Sequence, residues 1–255
     1  MNVKTTFYYF IGFLFLLLSD NLKAQEKVTT FGIQFKPIVP LNYIDGGKQA
    51  KEQNNISFEI DPKVGLSFGM VIRKGLTKNI SLETGINYLR RNFSLSINDK
   101  DSAFSSNSKF RLVTYEIPVS GLVYVQLGRE MFMNVSGGLS VDVYPTPLFV
   151  SEYEVFANAV NRKSWVQLSL IANVGWEYRT RKSGYWYVGF SFHRPFSSLM
   201  QSFVTYEAYN RNEEARFDLS GNYLTIDLRY FFHEDKEKKA PPKKDFRQKK
   251  PEHLK

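Results

Sequence analysis

Ser191 and His193 stand two positions apart, and on an extended strand that spacing puts a hydroxyl and an imidazole on one face. Asp142, Glu177 or Asp227 could supply the acid of a Ser/His/acid hydrolase, since such triads are defined by geometry and not by chain order. No nucleophile motif such as GxSxG accompanies the pair. His193 is followed by Arg194-Pro195-Phe196 and reads more simply as a polar cap where a strand ends. No catalytic residue is therefore assigned, and the chain is read as a non-enzyme. His233 and His253, the remaining two of three histidines, lie 20 residues apart without a ligand cluster, and there is no cysteine. No metal site, thiolate chemistry or disulfide framework is expected. Asp45-Gly46-Gly47-Lys48 lacks the upstream glycine and the following Ser/Thr of a phosphate-binding loop, so no cofactor is expected.

A second set of ionisable residues follows a different pattern. Lys36, Arg73, Glu83, Glu116, Asp142, Glu177, Arg179, Asp227 and Arg229 each lie on the small, polar side of a segment whose other side is bulky and apolar. Enclosed without partners, each would cost roughly several kcal/mol. The expected arrangement is a crossed network of ion pairs and hydrogen bonds filling a narrow interior. Perturbed carboxylates occur in structural networks as well as in active sites, so the structural role is preferred.

The segments that carry these residues alternate with period two. Between Trp165 and Arg179, Val166, Leu168, Leu170, Ala172, Val174, Trp176 and Tyr178 oppose Gln167, Ser169, Asn173, Gly175 and Glu177. No helix face produces that repeat. Similar alternation gives eight strands, at about 28–39, 63–74, 79–97, 109–127, 131–144, 164–181, 184–193 and 222–232. Short connections at 74–78, 128–130 and 182–184 alternate with long ones at about 40–62, 98–108, 145–163 and 194–221. The predicted fold is all-β: an eight-stranded antiparallel up-and-down transmembrane β-barrel with short periplasmic turns and long extracellular loops. Trp176, Tyr178, Trp186, Tyr230 and Phe232 cluster toward the short-turn end as an aromatic girdle. A soluble sandwich or lipocalin-like barrel would alternate too, but with its bulky side inward. The mixed charges and aromatics of the long connections, such as Phe203, Tyr206, Glu207, Tyr209, Arg211, Glu213, Glu214 and Arg216, are read as solvated loops that could also meet a ligand or partner.

Composition agrees with this picture. The chain has 255 residues, 43% hydrophobic and 16% aromatic. Phe7 to Leu18 is an apolar run preceded by Lys4 and followed by Leu22-Lys23-Ala24, which reads as a cleaved signal peptide over 1–24. Removing it takes the net charge from +9 to +8. Residues 233–255 hold nine Lys/Arg against five Asp/Glu with almost nothing apolar, so they read as a disordered basic tail. The barrel body, 25–232, then carries little excess charge, which removes the motive for a nucleic-acid partner.

Several stretches resemble a known family. Thr114-Tyr115-Glu116-Ile117-Pro118-Val119 is similar to the "EIP" strand of the small porin-like outer-membrane barrels of Bacteroidota, the PorT-like group. Lys78 to Tyr88 (KNISLETGINY) resembles their third strand, and Leu22-Lys23-Ala24-Gln25 their signal-cleavage boundary. Gly221 to Phe232 is similar to the aromatic-ended last strand recognised by barrel-assembly machinery, here followed by the basic tail. The resemblance implies location in the cell outer membrane, lipid as the principal partner, and a structural or interaction role in secretion or surface assembly. Protein partners would meet the extracellular loops or the periplasmic tail; a narrow porin-like channel for small solutes is the alternative. Deleting residues 234–255 is expected to leave heat-modifiable migration on gels unchanged, and loss of the folded band would place those residues inside the domain.

Overall fold

The computed structural model describes residues 29–41, 46–77, 79–145, 148–152, 156–162, 164–180, 183–198, 200–208 and 211–232. The expected signal peptide and basic tail lie outside these residues. Among them the alternating sequence forms thirteen strands: β1 (Thr29–Pro40), β2 (Gln49–Gln53), β3 (Ile56–Gly75), β4 (Ile80–Asp99), β5 (Phe104–Gln126), β6 (Met131–Val143), β7 (Leu148–Glu152), β8 (Phe156–Arg162), β9 (Val166–Arg179), β10 (Tyr185–Pro195), β11 (Met200–Ala208), β12 (Arg211–Leu219) and β13 (Tyr223–Phe231).

β1 pairs antiparallel with β13 on one side and with β3 on the other, through Ile33↔Tyr230 and Phe35↔Phe68 among others. This joins β1, β3, β4, β5, β6, β9, β10 and β13 into an unbroken hydrogen-bonded ring. Closure removes the exposed edges that an open sheet would present. These eight strands are the ones the alternation marks. At one end they are joined by tight turns, where Leu76 N donates to Ile80 O at 2.9 Å and Leu127 N to Met131 O at 3.0 Å. Gly184 supplies the third such turn at φ 92°, a left-handed conformation that favours glycine.

Pro37, Pro62 and Pro118 sit inside ring strands, although a proline cannot donate to a ladder; Pro62 stands beside the β3 bulge, opposite Phe93. Pro118 pairs with Ser140 of β6 but falls in a gap of the β4–β5 ladder, between Thr84↔Val119 and Asn87↔Glu116, with the register unchanged across it. Thr84 Oγ1 donates to the Pro118 carbonyl at 2.8 Å. Pro37 likewise pairs with Leu66 of β3 and sits in a gap between Phe35↔Leu228 and Ile38↔Thr225. Pro37 and Pro118 therefore each open one ladder locally and leave the ring closed.

The long connections differ from expectation. The connection predicted over 98–108 is a turn between Asp99 and Phe104, with Asp99 accepting from the Asp101 and Ser102 amides at 3.0 and 3.4 Å. The others hold further strands. β2 returns to β3 through Asn54-Asn55, both at positive φ, 47° and 67°, the backbone that a two-residue hairpin of this twist requires. β12, β11, β8 and β7 form a second sheet in that order. It packs on the upper halves of β3, β4 and β5 around an apolar core that includes Ile56, Phe58, Leu95, Ile97, Phe110, Val204, Tyr206 and Phe217. Lys51 Nζ and Gln49 Nε2 of β2 donate to the Arg216 and Asp218 carbonyls of β12 at 2.5 and 2.9 Å. The reading of solvated loops is therefore corrected: this is a folded cap. Its strands are short and its alternation is broken by turns, which hid it in the sequence.

The ring and the cap share strands whose two faces exchange polarity. On β4 the enclosed positions are Ser81, Glu83 and Asn87, then Leu89, Phe93, Leu95 and Ile97. The outward positions are Ile80, Leu82 and Ile86, then Arg90, Asn92 and Ser96. β3 makes the same change at a bulge between Lys63 and Leu66, where one extra residue re-phases the strand. Phe217 is fully enclosed in the cap core, so Phe217→Ala should cost about 3–5 kcal/mol within the cap. Limited proteolysis is expected to cut residues 148–219 much faster in this variant while heat-modifiable migration persists; unchanged protection would show that this core does not hold the cap.

Candidate functional site

The enclosed polar side of the ring is the densest concentration of chemistry among the described residues. Arg73 on β3 and Glu83 on β4 are cross-strand neighbours. Arg73 donates from Nε and Nη2 to Glu83 Oε2 at 3.1 and 3.0 Å, and from Nη1 to Glu177. β3 and β9 lie four strands apart in either direction around the ring, so Arg73 and Glu177 bridge its full width. Arg229 donates to the other Glu83 oxygen and to Asp227 Oδ2 at 2.5 Å. Arg179 Nε donates to Glu177 Oε1 at 2.5 Å, and Lys36 Nζ lies 3.6 Å from Asp227 Oδ2. Charges of alternating sign thus run Arg179, Glu177, Arg73, Glu83, Arg229, Asp227, Lys36.

Aromatic faces complete the coordination of the cations. The Arg73 guanidinium lies 3.9 Å from the Phe231 ring centre, Arg229 4.7 Å from Tyr187 and Arg179 4.1 Å from Phe132. Such contacts strengthen when water is excluded. The Tyr187 ring lies across Gly175 and Gly189, whose missing side chains leave it room, and its hydroxyl donates to Asn173 Oδ1 at 2.6 Å. Asp227 also accepts from Ser191 Oγ at 2.7 Å and Asn173 Nδ2 at 3.2 Å. Arg179 is the most open member, at the short-turn mouth, with its side chain 33% exposed.

Nearer the cap, Gln34 donates to Asn87 at 2.5 Å and Asn87 to Glu116 Oε2 at 2.8 Å. Glu116 and Asp142 stand directly opposite each other on β5 and β6, and Asp142 accepts from Ser140 Oγ at 3.0 Å and from Ser169. Two residues here were not placed inside by the sequence. Arg91 is enclosed, with Nη1 donating to the Gly221 carbonyl at 3.3 Å; phase continuity along β4 beyond Leu89 was its signal. His193, expected as a polar cap at a strand end, is 2% exposed and stacks on Tyr223 at 4.4 Å. Its Nδ1 lies 2.9 Å from Glu116 Oε1. Ser191 Oγ donates to Asp227 while His193 lies against Glu116, and no hydrogen bond joins the two among the described residues.

Aromatic rows border the apolar outer face at both ends. At the short-turn end Trp186 lies 4.8 Å from Tyr230, which lies 5.5 Å from Phe232. Tyr178 and Trp186 are cross-strand neighbours, as are Trp176 and Val188. Tyr178 OH donates to Glu130 at 2.9 Å and Tyr230 OH to the Ser183 carbonyl, which ties these rings to the turns. At the other end, Phe68, Tyr88 and Tyr115 form a row across β3, β4 and β5, with ring separations of 5.0 and 5.9 Å. The sequence reading missed this second row, although it lies where the faces exchange polarity.

Glu83 joins two arginines, so its loss leaves two enclosed cations short of charge. Glu83→Ala is expected to destabilise the ring by about 3–5 kcal/mol, seen as a lower urea midpoint for the heat-modifiable band. Pairing Glu83→Gln with Arg229→Gln should cost less than the sum of the single changes; strict additivity would show that the two side chains act independently.

Residues 24–203 match the family described as outer membrane protein beta-barrel domain. No curated protein matches the chain significantly. Among solved structures, the outer membrane protein OprG from Pseudomonas aeruginosa aligns with TM-score 0.52 and 11% identity, covering 82% of this chain and 98% of that one. The outer membrane protease OmpT from Escherichia coli aligns with TM-score 0.40 and 10% identity over 83% of this chain and 100% of that one. The OprG likeness is one of fold. With the matched segment spanning most of the ring, the chain belongs to the outer membrane protein beta-barrel domain family.

Proposed function

We propose that the chain is a non-enzymatic, eight-stranded barrel of the outer membrane whose interior is closed by its own charges and whose cap stands outside the cell. The observation that carries this is the apolar outer face. Phe31, Met70, Val123, Leu168 and Phe190 are each between 49% and 61% exposed while Glu177 and Asp227 are fully enclosed. Water is a poor solvent for such a face, and hydrocarbon a good one. On β4 the apolar stretch runs from Ile80 to Tyr88, close to the roughly 9–11 residues a tilted strand needs to cross the bilayer core. The tight turns then face the periplasm.

An interior of this width is filled by side chains, and here the bridge from Arg73 to Glu177 crosses it. Transport through the lumen is therefore disfavoured, and the solvent-facing cap is the surface available to partners. Its folded core suits a fixed platform better than a mobile loop. A structural or interaction role in surface assembly or secretion is the reading this supports, as the resemblance to the PorT-like group implies.

Planar-bilayer recording of the purified protein is expected to show no stable unitary steps. Removing the bridge with Arg73→Ser and Glu177→Ser should introduce openings. Reproducible steps from the parent protein would reject the closed barrel in favour of a narrow channel for small solutes.

A further inference from the structure

Directly beyond the aromatic row of Phe68, Tyr88 and Tyr115, the outward face of β3, β4 and β5 changes from apolar to cationic. Lys63, Asn92 and Arg111 are cross-strand neighbours in one line. Arg90 is two residues from Asn92 on β4, and Lys109 two residues from Arg111 on β5, so all four cations share a small area of one face. With Asn92, Phe93 and Phe110 they line a shallow depression of about 500 Å³. Asn92 Nδ2 donates to the Val64 carbonyl at 2.7 Å, which fixes the bulge that presents Lys63. Lys63 is paired with Asp61. Arg90, Lys109 and Arg111 have no carboxylate partner among the described residues.

Unlike the enclosed cations Lys36, Arg73 and Arg229, each held by a carboxylate, these three are left for an outside anion. They also form one narrow band, from the level of Arg90 through that of Arg111 to that of Lys109 along β4 and β5. Below them on the same strands are Met70, Phe68, Ile86, Ile117 and Val119, all exposed and apolar; above them the outward residues are Ser96, Asn98, Ser105 and Asn107. In a spanning barrel this band is where hydrocarbon gives way to lipid headgroups. A headgroup phosphate would meet the two guanidinium forks and the ammonium, while its acyl chains lie along the apolar strands below. Arginine forks match phosphate oxygens in pairs.

We propose that Arg90, Lys109 and Arg111 form a docking site for the phosphate groups of an outer-leaflet glycolipid. This rests on the spanning orientation proposed above. The site joins charge and apolar contact in one ligand, which a free anion cannot supply. Bound lipid would fix the height of the barrel in the membrane and surround the foot of the cap on the β3–β5 side.

The test uses the full chain refolded in a neutral detergent, with native mass spectrometry counting bound lipid. Three probes are compared: a bisphosphorylated lipid A, the same lipid after phosphatase treatment, and inorganic phosphate as competitor. The parent protein should retain the bisphosphorylated lipid and release it as salt rises. The triple variant R90Q/K109Q/R111Q should retain about a hundredfold less. Removing two cations at the other end, with Lys74→Gln and Arg129→Gln, should leave retention unchanged. Equal retention by the triple variant, equal retention of the dephosphorylated lipid, or displacement by millimolar inorganic phosphate would each overturn the proposal. Heat-modifiable migration and resistance to carbonate extraction, measured on the same proteins, report on the spanning orientation separately.

Discussion

Backbone hydrogen bonding is the constraint on which the rest depends. In hydrocarbon an unpaired N–H or C=O costs roughly several kcal/mol, so a strand can be wetted by lipid only if both of its edges are occupied. The pairing of β1 with β13 and with β3 meets that condition, and it dictates where side chains go. Once the ladder is closed, every strand has one side facing lipid and one facing the interior. The sequence must then supply apolar residues at one parity and small or charge-paired residues at the other. The prolines show how firm the condition is: Pro37 and Pro118 each lack a donor, and each lies at a short interruption that leaves register intact on both sides.

The same strands leave the ring and continue into a different solvent regime, and their side chains change with it. On β5, Tyr115, Ile117 and Val119 face outward where Thr114, Glu116 and Ser120 are enclosed; farther along, Lys109 and Arg111 face outward where Phe110 and Leu112 are enclosed. The register between β4 and β5 does not change across this point. In the proposed spanning orientation what changes is the medium: hydrocarbon outside and a polar interior below, water outside and a dry protein core above. The hydrophobic effect thus acts in opposite directions on two halves of one strand, and in that proposed orientation the boundary marks the membrane surface. Phe68, Tyr88 and Tyr115 stand at it, as amphipathic rings do.

This exchange explains what could be read in the sequence and what could not. The eight ring strands were legible because a period of two survives any reversal of sides, and because short connections at 76–79, 127–130 and 180–184 bracket them. The inward ionisable residues were legible for the same reason: Glu83, Glu116, Asp142, Glu177 and Asp227 each interrupt a run of small residues. The cap was not legible. β2, β7, β8, β11 and β12 have between five and nine residues, and their core is assembled from segments far apart in the chain, such as Ile56 and Phe217. Polarity alone makes such segments look like solvated loops. Arg91 and His193 escaped for a related reason. Each lies near the level where inward residues turn apolar, so neighbouring side chains gave no consistent clue to its direction. The Arg73–Glu177 pairing could not be read at all, because no local pattern states which strands face each other across a ring.

The enclosed charges also restrict which of the alternating registers is allowed. In a strand a slip of one residue exchanges the two faces completely. For a plain amphipathic strand the penalty of that error is lost burial. For β4 it would be larger on both levels. Glu83 would enter hydrocarbon, where a charge is costly, leaving Arg73 and Arg229 without the carboxylate they share; at the other end Phe93, Leu95 and Ile97 would leave the cap core for water. The two errors add, because one rigid strand carries both halves. β3 escapes a fixed phase only by its bulge at Lys63–Leu66, and there the compensating residue is held by the Asn92–Val64 contact. The ion-pair chain contributes to stability only modestly once desolvation is set against attraction. Its greater effect is to exclude the alternatives, so that a ring of strands sharing one alternating pattern closes in one arrangement and carries the cap on top of it in a fixed position.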